Sequence, residues 1–185
     1  MKVIETGLKG AIIIEPRVFG DERGYFYELY QKKRYFECGI EHEFVQDNRS
    51  RSSKNVLRGL HFQKTKPQGK LVTVTDGVVF DVAVDLRPES ETFGQHHAVI
   101  LSGENFLEFY IPPGFAHGFC VLSDYASFQY KCTDYYDPSD ESGLIWNDPI
   151  LGIDWPVDNP LVSPKDSILP ELKDIKKDIL NGWKK

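Results

Sequence analysis

The sequence predicts an all-β fold, a jelly-roll barrel with a few short peripheral helices, and three observations carry that prediction. Short β-branched and aromatic segments recur along the chain with Gly, Pro, Asn or Asp between them. Alternation is clearest over 78–87, where Val78, Phe80, Val82, Val84 and Leu86 share one face and Val79, Asp81, Ala83, Asp85 and Arg87 the other. Helical periodicity is confined to about 31–38 and to the end of the chain.

Taken in order, the predicted strands are GAIIIEP (10–16), GYFYELY (24–30), VLRGLHFQ (56–63), KLVTVTDG (70–77), VVFDVAVDLR (78–87), HHAVILSG (96–103), FLEFYIPPG (106–114), HGFCVL (117–122) and SFQYKCTDYY (127–136). Each is short and rich in residues whose branched or aromatic side chains fit a pleated surface. Turn residues bound most of them, such as Asp76-Gly77 and Pro112-Pro113-Gly114. The alternation over 78–87 predicts one buried face and one more polar face. At the end of the chain a helix is predicted over about 170–181: Pro170 can open it, Leu172, Ile175, Ile179 and Leu180 form a stripe, and Gly182 can stop it. Its lysines alternate with Glu171, Asp174 and Asp178, which reads as a docked surface helix rather than a membrane binder. No repeat, linker or low-complexity stretch divides the chain, so residues 1–185 read as one domain.

At 185 residues, with 41% hydrophobic and 13% aromatic content, the chain can bury a substantial core. A formal charge of −6 and a pI near 5.4 argue against broad nucleic-acid binding, which needs a basic surface. A small anionic ligand remains compatible, because a few local cations outweigh a net field. Cys38, Cys120 and Cys132 form no CxxC pair and cannot all pair within one chain, so neither a disulfide framework nor a zinc knuckle is expected, and a cytoplasmic setting is. No apolar run reaches membrane-spanning length, and the N-terminus lacks the long apolar region of a signal peptide.

His61 lies in VLRGLHFQ with Gln63, not a second histidine, two residues on. Residues two apart on a strand share a face, so an HxH pair could grip an ion and HxQ leaves the imidazole for proton transfer. His117, after the Pro-Pro-Gly turn, likewise lacks a nearby histidine or cysteine partner, and the adjacent His96 and His97 point to opposite strand faces. The reading is acid–base chemistry without a metal or other cofactor.

The runs DERGYF (21–26), FVQDN (44–48), VLRGLHFQ, GKLV (69–72), DVAVDLR (81–87), IPPGFAHGF (111–119) and IDWP (153–156), in this order and spacing, resemble the dTDP-4-dehydrorhamnose 3,5-epimerase family over nearly the whole chain to about residue 170. The resemblance implies a metal-free cupin-type jelly roll, a homodimer, and action on dTDP-4-dehydro-6-deoxy-D-glucose in the route to dTDP-L-rhamnose. A ketone at C4 acidifies the hydrogens at C3 and C5, so inversion needs a base, an acid across the ring and a stabiliser for the enolate oxygen.

His61 suits the base because an imidazole ordinarily titrates near neutrality. By the resemblance Asp166, in SPKD (163–166), orients that ring, and Tyr130 is the acid across the sugar. Lys70 is the oxygen stabiliser, since a positive charge beside C4 makes the enolate less costly. His117 hydrogen-bonds the substrate or settles the pocket, and Tyr136 stacks on thymine with its hydroxyl in water. Arg23, Glu28, Gln46, Asn48, Arg58, Glu141 and Lys165 match family positions that contact diphosphate, sugar or thymidine; an arginine fork suits the diphosphate. Family dimers share sites across the interface, which would put Arg23 and Glu28 near the partner's ligand. The competing readings are an enzyme that inverts C3 or C5 alone, a sugar ketoisomerase, a non-catalytic nucleotide-sugar binder on the same scaffold, and a metal-dependent cupin.

Overall fold

The structure, a computed structural model, describes residues 1–175. Fourteen strands follow one another among the described residues: β1 (Lys2–Glu5), β2 (Ile12–Glu15), β3 (Phe19–Asp21), β4 (Gly24–Phe26), β5 (Gln46–Ser53), β6 (Val56–Gln63), β7 (Lys70–Asp76), β8 (Val78–Asp85), β9 (His96–Ser102), β10 (Glu108–Ile111), β11 (Phe115–Val121), β12 (Tyr125–Cys132), β13 (Glu141–Gly143) and β14 (Leu161–Val162). One sheet has the order β1-β2-β10-β7-β12-β5, the other β13-β6-β11-β8-β9 with β14 alongside β6; β3 and β4 form a separate hairpin. Two facing sheets with crossed connections, antiparallel apart from the short β14 beside β6, are the all-β jelly roll that the strand rhythm predicts.

Apolar side chains from both sheets meet between them: Val72, Val74, Phe109 and Phe128 from the first, and Val79, Ala83, Phe115 and Phe119 from the second. Phe119 and Phe128 stack across this gap with centroids 4.0 Å apart. Each such ring, fully removed from water, contributes on the order of 1.5–3 kcal/mol. The outer face of the second sheet is covered too, because Leu144, Leu151, Trp155, Leu172 and Ile175 pack on Leu57, Leu60, Val82, Val84 and Leu86. Helix α1 (Lys32–Glu37) and Ile40 cover Ile12, Ile14, Leu71 and Tyr110 on the first sheet.

That covering corrects the expectation for 78–87. Both faces of β8 are buried, and the more polar one faces inward: Val79 and Ala83 belong to the central core, while Asp81 and Asp85 are fully buried with partners. The expected strand 24–30 also shortens. Only Gly24–Phe26 pairs, in an exposed hairpin, and the chain then crosses to the start of α1, where the Gln31 side chain accepts from the Arg34 amide at 2.7 Å. Gly39, at φ +91, closes this helix with the left-handed turn that an L side chain resists.

At the other end no α-helix opens at Pro170. Leu172–Asp174 is a 3-10 turn, and Ile175, with ψ 119, leaves helical geometry. Leu172 and Ile175 still dock on the second sheet as their apolar character predicts. The remainder of the expected helix, 176–181, lies outside the described residues.

Candidate active site

A cavity of about 440 Å³ opens between the sheets, lined by Arg58, His61, Lys70, His117, Tyr130, Glu141, Lys165 and Asp166 with Phe119 and Phe128 among its apolar residues. Eight of the thirteen residues singled out in the sequence therefore meet in one place. Tyr136 joins Glu141, Lys70, Tyr130 and His61 around a smaller adjoining space of about 80 Å³.

The placement follows from strand geometry. On β12 the inward positions Phe128, Tyr130 and Cys132 pair with Ser50, Asn48 and Gln46 of β5, so these two strands share one polar wall. On β6, Arg58 and His61 are three apart and would fall on opposite faces of a regular strand. The register against β11 slips between them: His117 pairs His61, and Phe119 pairs Arg58, three residues of β6 against two of β11. This bulge at Gly59–Leu60 brings the guanidinium and the imidazole to one cavity. Gly59 has φ +115, and a Cβ there would lie 2.6 Å from Gly118 Cα, so glycine is required by both conformation and space.

His61 Nε2 lies 2.7 Å from Asp166 Oδ1. A carboxylate only accepts, so Nε2 carries the proton and Nδ1 is left as the basic nitrogen, with no hydrogen-bond partner among the described residues. Asp166 is 3% exposed; its carboxylate also accepts from the Gly59 amide, and its own backbone N–H donates to Ser163 Oγ. Burial pushes its carboxyl up, but the bond and charge of His61 and the donors around it leave it below the usual carboxylate range. It is a stable anion beneath the ring.

Lys70 starts β7 half-buried, with Nζ 5.9 Å from the centroid of Tyr130. Desolvation lowers its pKa, against the attraction of Cys132, Asp81 and Glu141. Burial chiefly, then the neighbouring Cys132, raises the Tyr130 phenol, so this phenol remains protonated and able to give a proton. His117 is buried and its Nε2 lies 3.0 Å from Asp81 Oδ2. Desolvation lowers its pKa and Asp81 opposes it. Sequence reasoning missed Asp81, because an aspartate in an alternating run reads as solvent-facing; its signal was the apolar company on the same side, Val79 and Ala83.

At the mouth, Glu141 Oε2 accepts from Tyr136 Oη at 2.6 Å and pairs with Lys165. Tyr136 is 49% exposed, but its hydroxyl is bound to protein rather than left to water as expected, which pushes its pKa up to about 12. Arg58 Nε donates to Ser52 Oγ and the residue is otherwise exposed. Gln46 and Asn48 bond to each other and hold Tyr136 N–H and Cys132 Sγ. Arg23 and Glu28 are not brought to this cavity by their own chain: Arg23 pairs with Asp21 on the hairpin and Glu28 with Arg34. Among the described residues no group of three His, Cys, Asp or Glu side chains is arranged to hold a metal ion, and the three cysteines are free.

The family model for dTDP-4-dehydrorhamnose 3,5-epimerase matches residues 5–174. The enzyme of that name from Methanothermobacter thermautotrophicus is 56% identical over 168 residues, covering 89% of this chain and 91% of the relative. Its namesake from Escherichia coli is 53% identical over 178 residues, covering 95% and 96%. The crystal structure of the Legionella pneumophila dTDP-6-deoxy-D-glucose-3,5-epimerase in complex with dTDP-4-keto-L-rhamnose superposes with a TM-score of 0.94 at 56% identity, over 97% of this chain and 96% of that one.

Proposed function

The chain belongs to the dTDP-4-dehydrorhamnose 3,5-epimerase family, and from that membership we propose how its residues invert C3 and C5 of dTDP-4-dehydro-6-deoxy-D-glucose to give dTDP-4-dehydro-L-rhamnose. The enzyme is an isomerase: the product has the composition of the substrate, and at C3 and C5 one proton leaves to the base while another arrives from the acid on the opposite face, after which solvent takes the proton from the base and reprotonates the acid. His61 Nδ1 takes a proton from the carbon beside the C4 ketone, and the C–H electron pair moves into a C=C bond as the carbonyl becomes an enolate oxygen. Asp166 stabilises the imidazolium so formed. Lys70 offsets the charge on the enolate oxygen, and Tyr130 donates the returning proton. No cofactor enters this scheme.

One observation carries the assignment of roles. His61 stands on the second sheet and Tyr130 on the first, so base and acid face one cavity from different walls. Arg58 and Lys165 at the mouth suit the diphosphate, Gln46, Asn48 and Glu141 the sugar and nucleoside, and the exposed Tyr136 ring can cover the base. The reading is tested by incubating the protein with the 4-keto nucleotide sugar in heavy water. Deuterium at both C3 and C5 of an L-configured product is expected; label at one carbon alone would replace this reading with a single-site epimerase.

The active form in this proposal is a cytoplasmic homodimer of single-domain chains, and Arg23 and Glu28 serve the partner's site. Phe19, Tyr25 and Phe26 support it, being 51%, 59% and 71% exposed on the hairpin that carries Arg23, where one chain alone leaves them in water. Light scattering should give twice 21.2 kDa. Among the described residues no helix is long and apolar enough to cross a membrane.

A further inference from the structure

Gln63 stands two residues after His61, where a metal-gripping strand pair would carry its second histidine. Its side chain is 3% exposed, which is costly for a primary amide unless each polar end is satisfied. Both ends are. Nε2 donates to the Lys66 carbonyl at 2.8 Å and the Tyr135 carbonyl at 3.3 Å, and Oε1 accepts from the Asp137 amide at 2.8 Å.

Two of those three bonds bracket Tyr136. Its own N–H donates to Gln46 Oε1 at 2.9 Å, so the peptide joining 135 to 136 is held at both polar groups and the next N–H as well. The segment from 133 to 140 lies outside the strands, so no sheet ladder fixes it. The residue is half exposed, and among the described residues its side-chain bond goes to Glu141.

We infer that Gln63 is a positioning residue, which fixes the Tyr136 ring over the bound nucleotide by gripping the backbone on either side of it. The inference rests on the reading of Tyr136 as the side chain that covers the base. An amide suits the position where others do not: a carboxylate cannot make the two donations, and an apolar side chain makes none of the three bonds.

Gln63→Met should raise the dissociation constant for dTDP, measured by calorimetry, and KM for the nucleotide sugar by about tenfold, as one or two lost hydrogen bonds imply, with kcat changed by no more than about threefold. In a Tyr136→Ala background the same substitution should have no further effect on dTDP binding, because the ring it positions is gone. Gln63→Glu gives a second reading if the methionine variant fails to fold. Its affinity for dTDP should be below wild type when ionised and recover toward it as pH falls, since the protonated acid regains one donor. Unchanged dTDP affinity in Gln63→Met, or a full additive loss in the Tyr136→Ala background, overturns the inference. No effect of Tyr136→Ala alone overturns the base-covering reading instead.

Discussion

His61 owes its proposed reactivity to a carboxylate 105 positions later in the chain, which settles the tautomer and leaves Nδ1 to work. His61→Ala should lower kcat by roughly 10²–10⁴, the span that general-base catalysis covers, and leave dTDP affinity as it was; turnover within tenfold of wild type would remove the imidazole from the mechanism. Tyr130→Phe separates the two half-steps. The base can still remove a proton and return a deuteron to the same face, so substrate recovered from heavy water should carry label while L-configured product falls by roughly 10²–10⁴. Loss of exchange together with inversion would mean that the phenol acts before the enolate forms. At this scale the sequence was readable as to place where residue type and motif coincide: His61, Lys70 and Tyr130 line one cavity. Asp81 was not, because its role depends on His117 lying on the neighbouring strand with Nε2 at 3.0 Å. Gln63 registered only as a missing histidine, since its three backbone partners belong to loops that no local pattern specifies.

Strand β6 shows what elements add to residues. Its bulge turns Arg58 toward the cavity that holds His61, and the tight approach of Gly59 to Gly118 makes the bulge possible. Gly59→Ala would set a Cβ 2.6 Å from Gly118 Cα and 2.7 Å from the His117 carbonyl while keeping φ at +115. Backbone must shift, at a cost of roughly 1–3 kcal/mol or more. Urea unfolding should show that loss, and kcat/KM should fall by more than the lost stability explains, because both cavity-facing side chains move. Wild-type kcat/KM in a folded Gly59→Ala protein would show that the bulge geometry does not matter to the site. The apolar strands were legible because burial on one face imposes a period of two. Strand β5, QDNRSRSS, was not expected as a strand: its inner face carries polar Gln46, Asn48, Ser50 and Ser52, with Ser50 at the cavity, and its outer face meets water, so it alternates in burial without alternating in hydrophobicity. The described start of the expected terminal helix departs from the pattern for the opposite reason. Leu172 and Ile175 have the spacing of a helical stripe, but tertiary packing on the second sheet uses them from a 3-10 turn.

At the scale of the molecule, net charge and pH act through groups outside the cavity as well as within it. The overall charge of −6 does not prevent a local cationic mouth at Arg58 and Lys165. Stability against acid draws on Asp166 and Asp85, whose depressed pKa values mean that their contribution, present above the ordinary aspartate range, is lost as pH falls through their folded values. On the alkaline side one buried acid runs the other way. Glu108, 1% exposed beneath α1, lies with Oε2 2.6 Å from Tyr35 Oη, which is also 2.7 Å from the Leu29 carbonyl. A phenol has one proton and a carbonyl can only accept, so both bonds form only if Glu108 is un-ionised and donates to Tyr35. Burial raises its pKa to about 8, against the charge of Lys131; Tyr27 faces it as well. The acid is therefore protonated in the fold and ionised in the unfolded chain between 4.5 and about 8, so its contribution declines as pH rises through that window and is flat above it. His117 and His97, with lowered pKa values, titrate with the opposite slope, so the wild-type curve alone does not isolate the effect. Glu108→Gln does, because its amide donates the same bond to Tyr35 at every pH. The stability of the variant relative to wild type should rise with pH by about 1.4 kcal/mol per unit across the window and then level off. A difference independent of pH would mean that Glu108 is ionised in the fold and that Tyr35 donates to it, leaving the Leu29 carbonyl without its proton.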